Sequence, residues 1–190
     1  IMVTLGTGVG GAIIYNNKIF RGSTGGAAEI GHMTIDYEGP FANSGVAGAI
    51  EAYLGQEFLS DHARDRLIND PESTIYDLVD DDLDDLSPRI LYEAAQDGDA
   101  TAQRLLRWAG HKLGCVLGSA VNLLDIRSII VGGGVSAAGD FILEPARETL
   151  PRFVVPGLRS DLEIHREELG NEVSLLGAAR IAFEGRDAHV

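Results

Sequence analysis

MVTLGTGVGGAIIYNNKIFR, residues 2–21, is the stretch whose reading decides the fold. Two apolar runs, Met2–Leu5 and Ala12–Tyr15, flank the glycine-rich segment Gly6-Thr7-Gly8-Val9-Gly10-Gly11. A dinucleotide-binding fingerprint needs a helix after its glycines. Here a second β run follows instead and ends at Asn16-Asn17, a pair suited to a tight hairpin turn, before Lys18-Ile19-Phe20-Arg21. The segment therefore reads as strand, glycine loop, strand, turn, strand, an antiparallel opening. Successive backbone N–H groups in such a loop can cradle phosphate oxygens, and Thr7 is the hydroxyl placed to reach a terminal phosphate. A plain glycine hairpin is the alternative.

Next comes GGAAEIGHMTIDYEGPFANSGVAGAIE, residues 25–51. Small residues deliver Glu29 and His32, three positions apart, and the stretch closes on Glu51. Every sugar hydroxyl both donates and accepts, so carboxylates beside an imidazole suit a polyhydroxylated ligand. Composition alone reads the same residues equally well as a surface turn with an incidental salt bridge. His32–Tyr37 is expected as a short strand. From Val46 the apolar spacing Val46, Ile50, Leu54, Phe58 predicts a helix with Glu51 near its start, ended by Asn69-Asp70-Pro71.

Glu29-Ile30-Gly31-His32, followed after a spacer by Gly45-Val46-Ala47-Gly48-Ala49-Ile50-Glu51, resembles the signature of the ROK family (repressors, open reading frames and sugar kinases). The resemblance implies an α/β lobe of the actin/hexokinase-like (ribonuclease H-like) fold, with a mixed β-sheet flanked by helices. It also implies that Glu29, His32 and Glu51 hold sugar hydroxyls. The nucleotide would lie against Gly6, Thr7, Gly8, Gly10 and Gly11 on one side and Gly132, Gly133 and Gly134 on the other. Family members carry a structural zinc on the signature His and three cysteines, but here those positions are Ala42, Ser44 and Ala49. A structural zinc wants four N/S ligands, and one His cannot supply them. The loop must be held by hydrogen bonds and packing, leaving His32 to the sugar.

Further along, Pro71–Pro88 holds Asp80-Asp81-Asp82-Leu83-Asp84-Asp85, a solvated connection that lacks the alternating ligands and glycine turn of a cation loop. Residues 61–100 read as a helical, acidic surface insertion. Ser87-Pro88 is a helix start, and Asp97-Gly98-Asp99 breaks and recaps. A long apolar stripe from Ala102 to Leu124 follows, with Gly110, Gly114 and Gly118 suited to close packing of the helix on a sheet; Trp108 and His111 read as packing or surface residues. Ser128–Val131 is a buried-strand run into Gly132-Gly133-Gly134-Val135-Ser136, with a helix after Gly139-Asp140. Strand, glycine loop and helix form an anion-approach geometry, and the resemblance makes this the adenosine side. Leu162–His165 is expected as the last strand and Asn171-Glu172 as the start of a terminal helix.

Composition narrows the classes. A net charge of −14 over 190 residues argues against a nucleic-acid-binding surface, which needs a basic patch. Lys18 and Lys112 are the only lysines, a balance that fits adaptation to high salt. The single cysteine, Cys115, excludes an internal disulfide and fits a reducing, cytoplasmic setting. No apolar run reaches membrane-spanning length, and neither a leader nor a membrane partner is expected.

Set against the ROK pattern, residues 1–190 form the C-terminal lobe, with the Asp-x-Gly-x-Thr phosphate loop and the Asp that takes the hydroxyl proton expected upstream. The resemblance implies an ATP-dependent kinase acting with Mg2+ on a hexose, glucose foremost, in a homodimer or higher homo-oligomer. Kinases for fructose or N-acetylmannosamine and a sugar-responsive repressor are the alternatives. Metal analysis of the purified full-length protein should find no stoichiometric zinc; zinc that survives dialysis would overturn the reading of Ala42, Ser44 and Ala49.

Overall fold

The computed structural model describes residues 1–187. Strands β1 (Met2–Leu5) and β2 (Val9–Ala12) form an antiparallel hairpin, and β3 (Ile14–Tyr15) and β4 (Lys18–Ile19) form a second one. Asn16 and Asn17 join β3 to β4 with φ of 51° and 59°, the paired left-handed residues of a tight hairpin turn. A 3-10 turn over Ile30–His32 follows, then α1 (Glu51–Leu54), α2 (Gln56–Leu67), α3 (Ile75–Leu78), α4 (Pro88–Gln96) and α5 (Ala100–Leu124). The remainder is β5 (Ser128–Gly132), α6 (Asp140–Thr149), β6 (Glu163–Arg166) and α7 (Val173–Asp187).

The main sheet has the order β2-β1-β5-β6, with β1 antiparallel to β2 and parallel to β5, and β5 parallel to β6. It is a mixed sheet within an α/β lobe. Period-two alternation sends Val3, Leu5, Ile129, Val131 and Ile164 into a core shared with α5 and α6, while Thr4, Ser128, Ile130 and His165 stay exposed. The second hairpin does not extend this sheet; β5 takes the free edge of β1.

Four expectations change. Gly10 and Gly11 belong to β2, paired with Thr4 and Val3, so the open glycine turn is only Gly6-Thr7-Gly8. Residues 32–37 form no strand: Thr34 makes one isolated bridge to Ala49, and a turn in which Gly39 donates to the Asp36 carbonyl (3.0 Å) stops any ladder. The expected helix from Val46 begins at Glu51 and breaks at Gly55, because the Gln56 amide donates to the Gly6 carbonyl (2.9 Å) instead of continuing the helix. Gly110, Gly114 and Gly118 do lie at a close contact, but with α6 and the 3-10 segment after it, where added Cβ atoms would crowd Pro145, Thr149 and Phe153. The packing is helix on helix.

Residues 61–100 hold the end of α2, then α3 and α4 joined by turns; they expose Asp80, Asp81, Asp82, Asp84 and Asp85, while Ala63, Leu67, Ile75, Leu86 and Leu91 enter the common core. Ser87 caps α4, accepting weakly from the Ile90 amide (3.5 Å), with Pro88 in the first turn. Asp99 caps α5 with Oδ1 on the Ala102 amide (2.8 Å). Its Oδ2 accepts from Ser73 Oγ (2.8 Å), the Thr74 amide (2.8 Å) and Thr74 Oγ1 (3.1 Å). Helix α7 lies apart from this core, with Leu175, Leu176, Ile181 and Phe183 exposed.

Burial raises the Asp99 pKa, but the hydrogen bonds from Ala102, Ser73 and Thr74 outweigh it and hold the carboxyl below its ordinary value. A depressed folded-state pKa stabilises the fold above the unfolded value of about 3.9, and that contribution is lost as pH falls through the lower folded value. Asp99→Asn should therefore cost about 1–3 kcal/mol at neutral pH, with the gap to wild type closing below about pH 4. Urea melts across pH check this; a gap independent of pH would assign Asp99 a purely steric role.

Candidate functional site

The site grows from the turn between β1 and β2. With Leu5 opposite Val9, only Gly6, Thr7 and Gly8 lie between the strands, and the Gly6 amide donates to the Gly8 carbonyl (3.0 Å). Nothing lies where a Gly6 Cβ would point. The turn is held from the helical side twice, by the Gln56–Gly6 hydrogen bond and by the Val9 amide, which donates to Glu51 Oε2 (3.0 Å). A Cβ on Gly8 would overlap that same carboxylate oxygen.

Glu29 and His32 arrive on the 3-10 turn that crosses β2. Gly31 passes so close to the Val9 carbonyl that any side chain there would overlap it. The His32 amide donates to the Glu29 carbonyl (3.0 Å), and His32 Nε2 lies 3.7 Å from Glu29 Oε2. His32 Nδ1 is 3.2 Å from Ser44 Oγ. Ala42 and Ala49 are buried and carry no donor atom, so this loop does not fit a zinc ion. Among the described residues, no three His, Cys, Asp or Glu side chains gather as a metal site. Backbone bonds close the loop instead: Ile35 N to Gly48 O (2.9 Å), Ala42 N to Val46 O (3.1 Å) and Ile50 N to Met33 O (3.0 Å).

These parts line one cleft of about 440 Å3, into which Glu29, His32, Glu51, Thr7 and the turn glycines all face, with Gly10 and Gly133 at its edge. Beside it opens a second cleft of about 830 Å3 between the Gly133–Ala137 segment, the end of β6 and the start of α7. The two share Thr4 and Gly133. Gly133 holds φ of 90° with its Cα pressed on the Leu5 backbone, while Gly134 faces open space. Gly132 is the last ladder residue of β5, opposite Thr4, and Gly11 packs on the Ala28 carbonyl; neither lines either cleft. Thus Glu29, His32, Glu51, Gly6, Thr7, Gly8, Gly10, Gly133 and Gly134 border the paired clefts.

Two contributors escaped the sequence reading. Thr4 carries an exposed hydroxyl at the junction of the clefts; its signal was the outward phase of the Met2–Leu5 strand, one position from Leu5. Ser44, read only as a vacated metal position, is the hydrogen-bond partner of His32.

A model of the ROK family matches residues 1–184. The chain belongs to the ROK family. It is 36% identical to a glucokinase of Streptomyces coelicolor over 191 aligned residues, which cover 97% of this chain and 59% of that protein. It superposes with a TM-score of 0.87 and 34% identity on the crystal structure of a ROK family glucokinase from Streptomyces griseus in complex with glucose and AMPPNP, covering 95% of this chain and 59% of that one. A xylose repressor of Caldicellulosiruptor bescii is 26% identical over 93% of this chain and 44% of its own length. The chain thus spans about three fifths of the glucokinases it matches. The mixed sheet and its helices are the corresponding part of the ROK glucokinase fold.

The geometry makes Gly8 and Glu51 a pair. Gly8→Ala should push the Glu51 carboxylate off the Val9 amide and speed hydrogen exchange there roughly tenfold or more, and Glu51→Ala should do the same. Unchanged exchange at Val9 in both variants would show that the bond does not hold the turn.

Proposed function

We propose that this chain supplies the sugar and nucleotide walls of an ATP-dependent hexose kinase whose substrate is glucose. The observation that carries the reading is Glu51: its carboxylate faces the cleft beside Glu29 and His32 while accepting from the amide that ends the glycine turn. Groups able to hold hydroxyls and groups able to hold phosphate therefore meet across a single cleft.

In this reading Glu29, His32 and Glu51 fix the sugar hydroxyls as acceptors and donors. The Ser44 hydroxyl orients the His32 ring by engaging Nδ1, which leaves Nε2 toward Glu29 and the cleft. Backbone amides of Gly6–Gly8, with the hydroxyls of Thr4 and Thr7, hold the phosphates. The larger cleft past Gly133 and Gly134 takes the nucleoside, where the absence of a side chain on Gly134 lets the ligand approach the backbone. Mg2+ binds mainly through substrate phosphates and water, so it would enter with the triphosphate. Phosphoryl transfer of this kind rests on positioning and charge stabilisation, with a carboxylate taking the hydroxyl proton; we place that carboxylate in sequence upstream of residue 1. A sugar-responsive repressor would use the same clamp. The open glycine turn adjoining a nucleoside-sized cleft favours the kinase.

The full-length protein should phosphorylate glucose from ATP in a coupled assay, and residues 1–190 alone should not, since loss of a general base typically costs about 10²–10⁴ in rate. Glucose binding without turnover in the full-length protein would favour the repressor. In the same protein His32→Ala should weaken glucose binding by roughly 1–3 kcal/mol and leave nucleotide binding and the melting temperature nearly unchanged. Calorimetry beside melting curves decides it; an unfolded variant or an unaltered glucose affinity would make His32 a structural residue.

A further inference from the structure

Away from the paired clefts, a pocket of about 580 Å3 opens between α2 and the first turns of α5. Its lining includes Arg66, Arg104, His62, Trp108, Thr101 and Asp70. Two guanidiniums against one carboxylate is an unusual balance in a chain whose net charge is −14. Arg104 is held in place: its Nη2 donates to Thr101 Oγ1 and lies 3.5 Å from Asp70 Oδ2, and Thr101 in turn donates to Asp70. A guanidinium carries five donors, and with its side chain 68% exposed Arg104 keeps several of them available. Arg66 makes no ion pair among the described residues.

The aromatic part of the lining is a stacked pair. The His62 ring stacks on the Trp108 indole with centroids 4.0 Å apart and planes 12° from parallel, and Leu105 lies beside them. Burial, with Arg66 close by, holds His62 below the usual imidazole value, so near neutral pH the positive charge of the pocket rests on the two arginines. Guanidiniums with free donors recognise phosphate or carboxylate oxygens, and an aromatic wall adds a surface for a ring. The volume falls in the range of small-molecule sites.

We propose that this pocket binds a phosphorylated small molecule with a ring-bearing body, its phosphate on Arg66 and Arg104 and its ring toward the His62–Trp108 stack. An occupant would adjoin the clefts through the aromatic contact of Trp108 with Tyr53, centroids 6.0 Å apart, and Tyr53 stands two residues after Glu51 in α1. The site is argued from its own residues and stands whether or not the kinase reading holds.

Calorimetric titration of the full-length protein with phenyl phosphate, with phenol as the phosphate-free control, tests this. Saturable binding of the phosphate ester is expected, with Arg66→Gln and Arg104→Gln each weakening it about tenfold and excess glucose leaving it unchanged. Arg104 also supports Asp70 and Thr101, so Arg66→Gln, on an exposed side chain, keeps the test clean if Arg104→Gln lowers the melting temperature. No saturable binding, equal affinity in Arg66→Gln, or displacement of the ester by glucose, which would move it to the sugar cleft, overturns the proposal.

Discussion

The Val9 amide and the Glu51 carboxylate form the contact on which the geometry of the cleft depends. On one side stands the three-residue turn closed by the Leu5–Val9 pair; on the other stands the first residue of α1. A hydrogen bond to an ionised acceptor is worth about twice a neutral one, and here it comes with a second anchor, the Gln56 amide on the Gly6 carbonyl. Turn and helix are thereby fixed relative to each other at two points a few residues apart. The break at Gly55 follows from the same arrangement: an unbroken helix would keep the Gln56 amide for itself and leave Gly6 unmet.

Behind this junction the supports are backbone on backbone. Gly31 crosses the Val9 carbonyl and Gly133 presses on Leu5, so the segments carrying Glu29, His32 and the second cleft are set by main-chain contact and tolerate no side chain in between. The sheet that bears them rests on α5 and α6; the close approach of α5 to α6 and the 3-10 segment after it runs along Gly110, Gly114 and Gly118. Interiors packed at crystal-like density transmit displacement with little loss. The positions of the cleft side chains are thus inherited from a frame that contains almost none of the chemistry.

Much of this frame was legible where the signal is local. The Asn16-Asn17 turn, the Ser87-Pro88 start and the Asp99 cap are short-range devices, and each stands where its chemistry put it. Glu29, His32 and Glu51 were singled out through the resemblance of their stretch to the ROK signature, and they do share a cleft. What escaped was tertiary. Gly10 and Gly11 have no strand preference of their own, and only Thr4 and Val3 across the hairpin make them β. The apolar spacing through Val46, Ile50, Leu54 and Phe58 looks continuous because it carries no trace of the bond that Gln56 makes to Gly6. The gathering of Arg66, Arg104, His62 and Trp108 joins two helices separated by α3 and α4, which no windowed pattern can register.

The shortness of the β1–β2 turn also bears on how such a cleft can change over evolutionary time. One inserted residue would either lift Val9 away from Glu51 or slide the register, and a slide of one position would turn Val3 and Leu5 out of the core. The glycine-turn wall of the cleft is therefore closed to insertions and deletions. The 33–48 segment is tied by two isolated bridges and a few backbone bonds, and it exposes Tyr37 and Phe41. Lengthening, shortening and trial of new side chains are cheapest there, close to His32, and new ligand preferences have their easiest route through that loop.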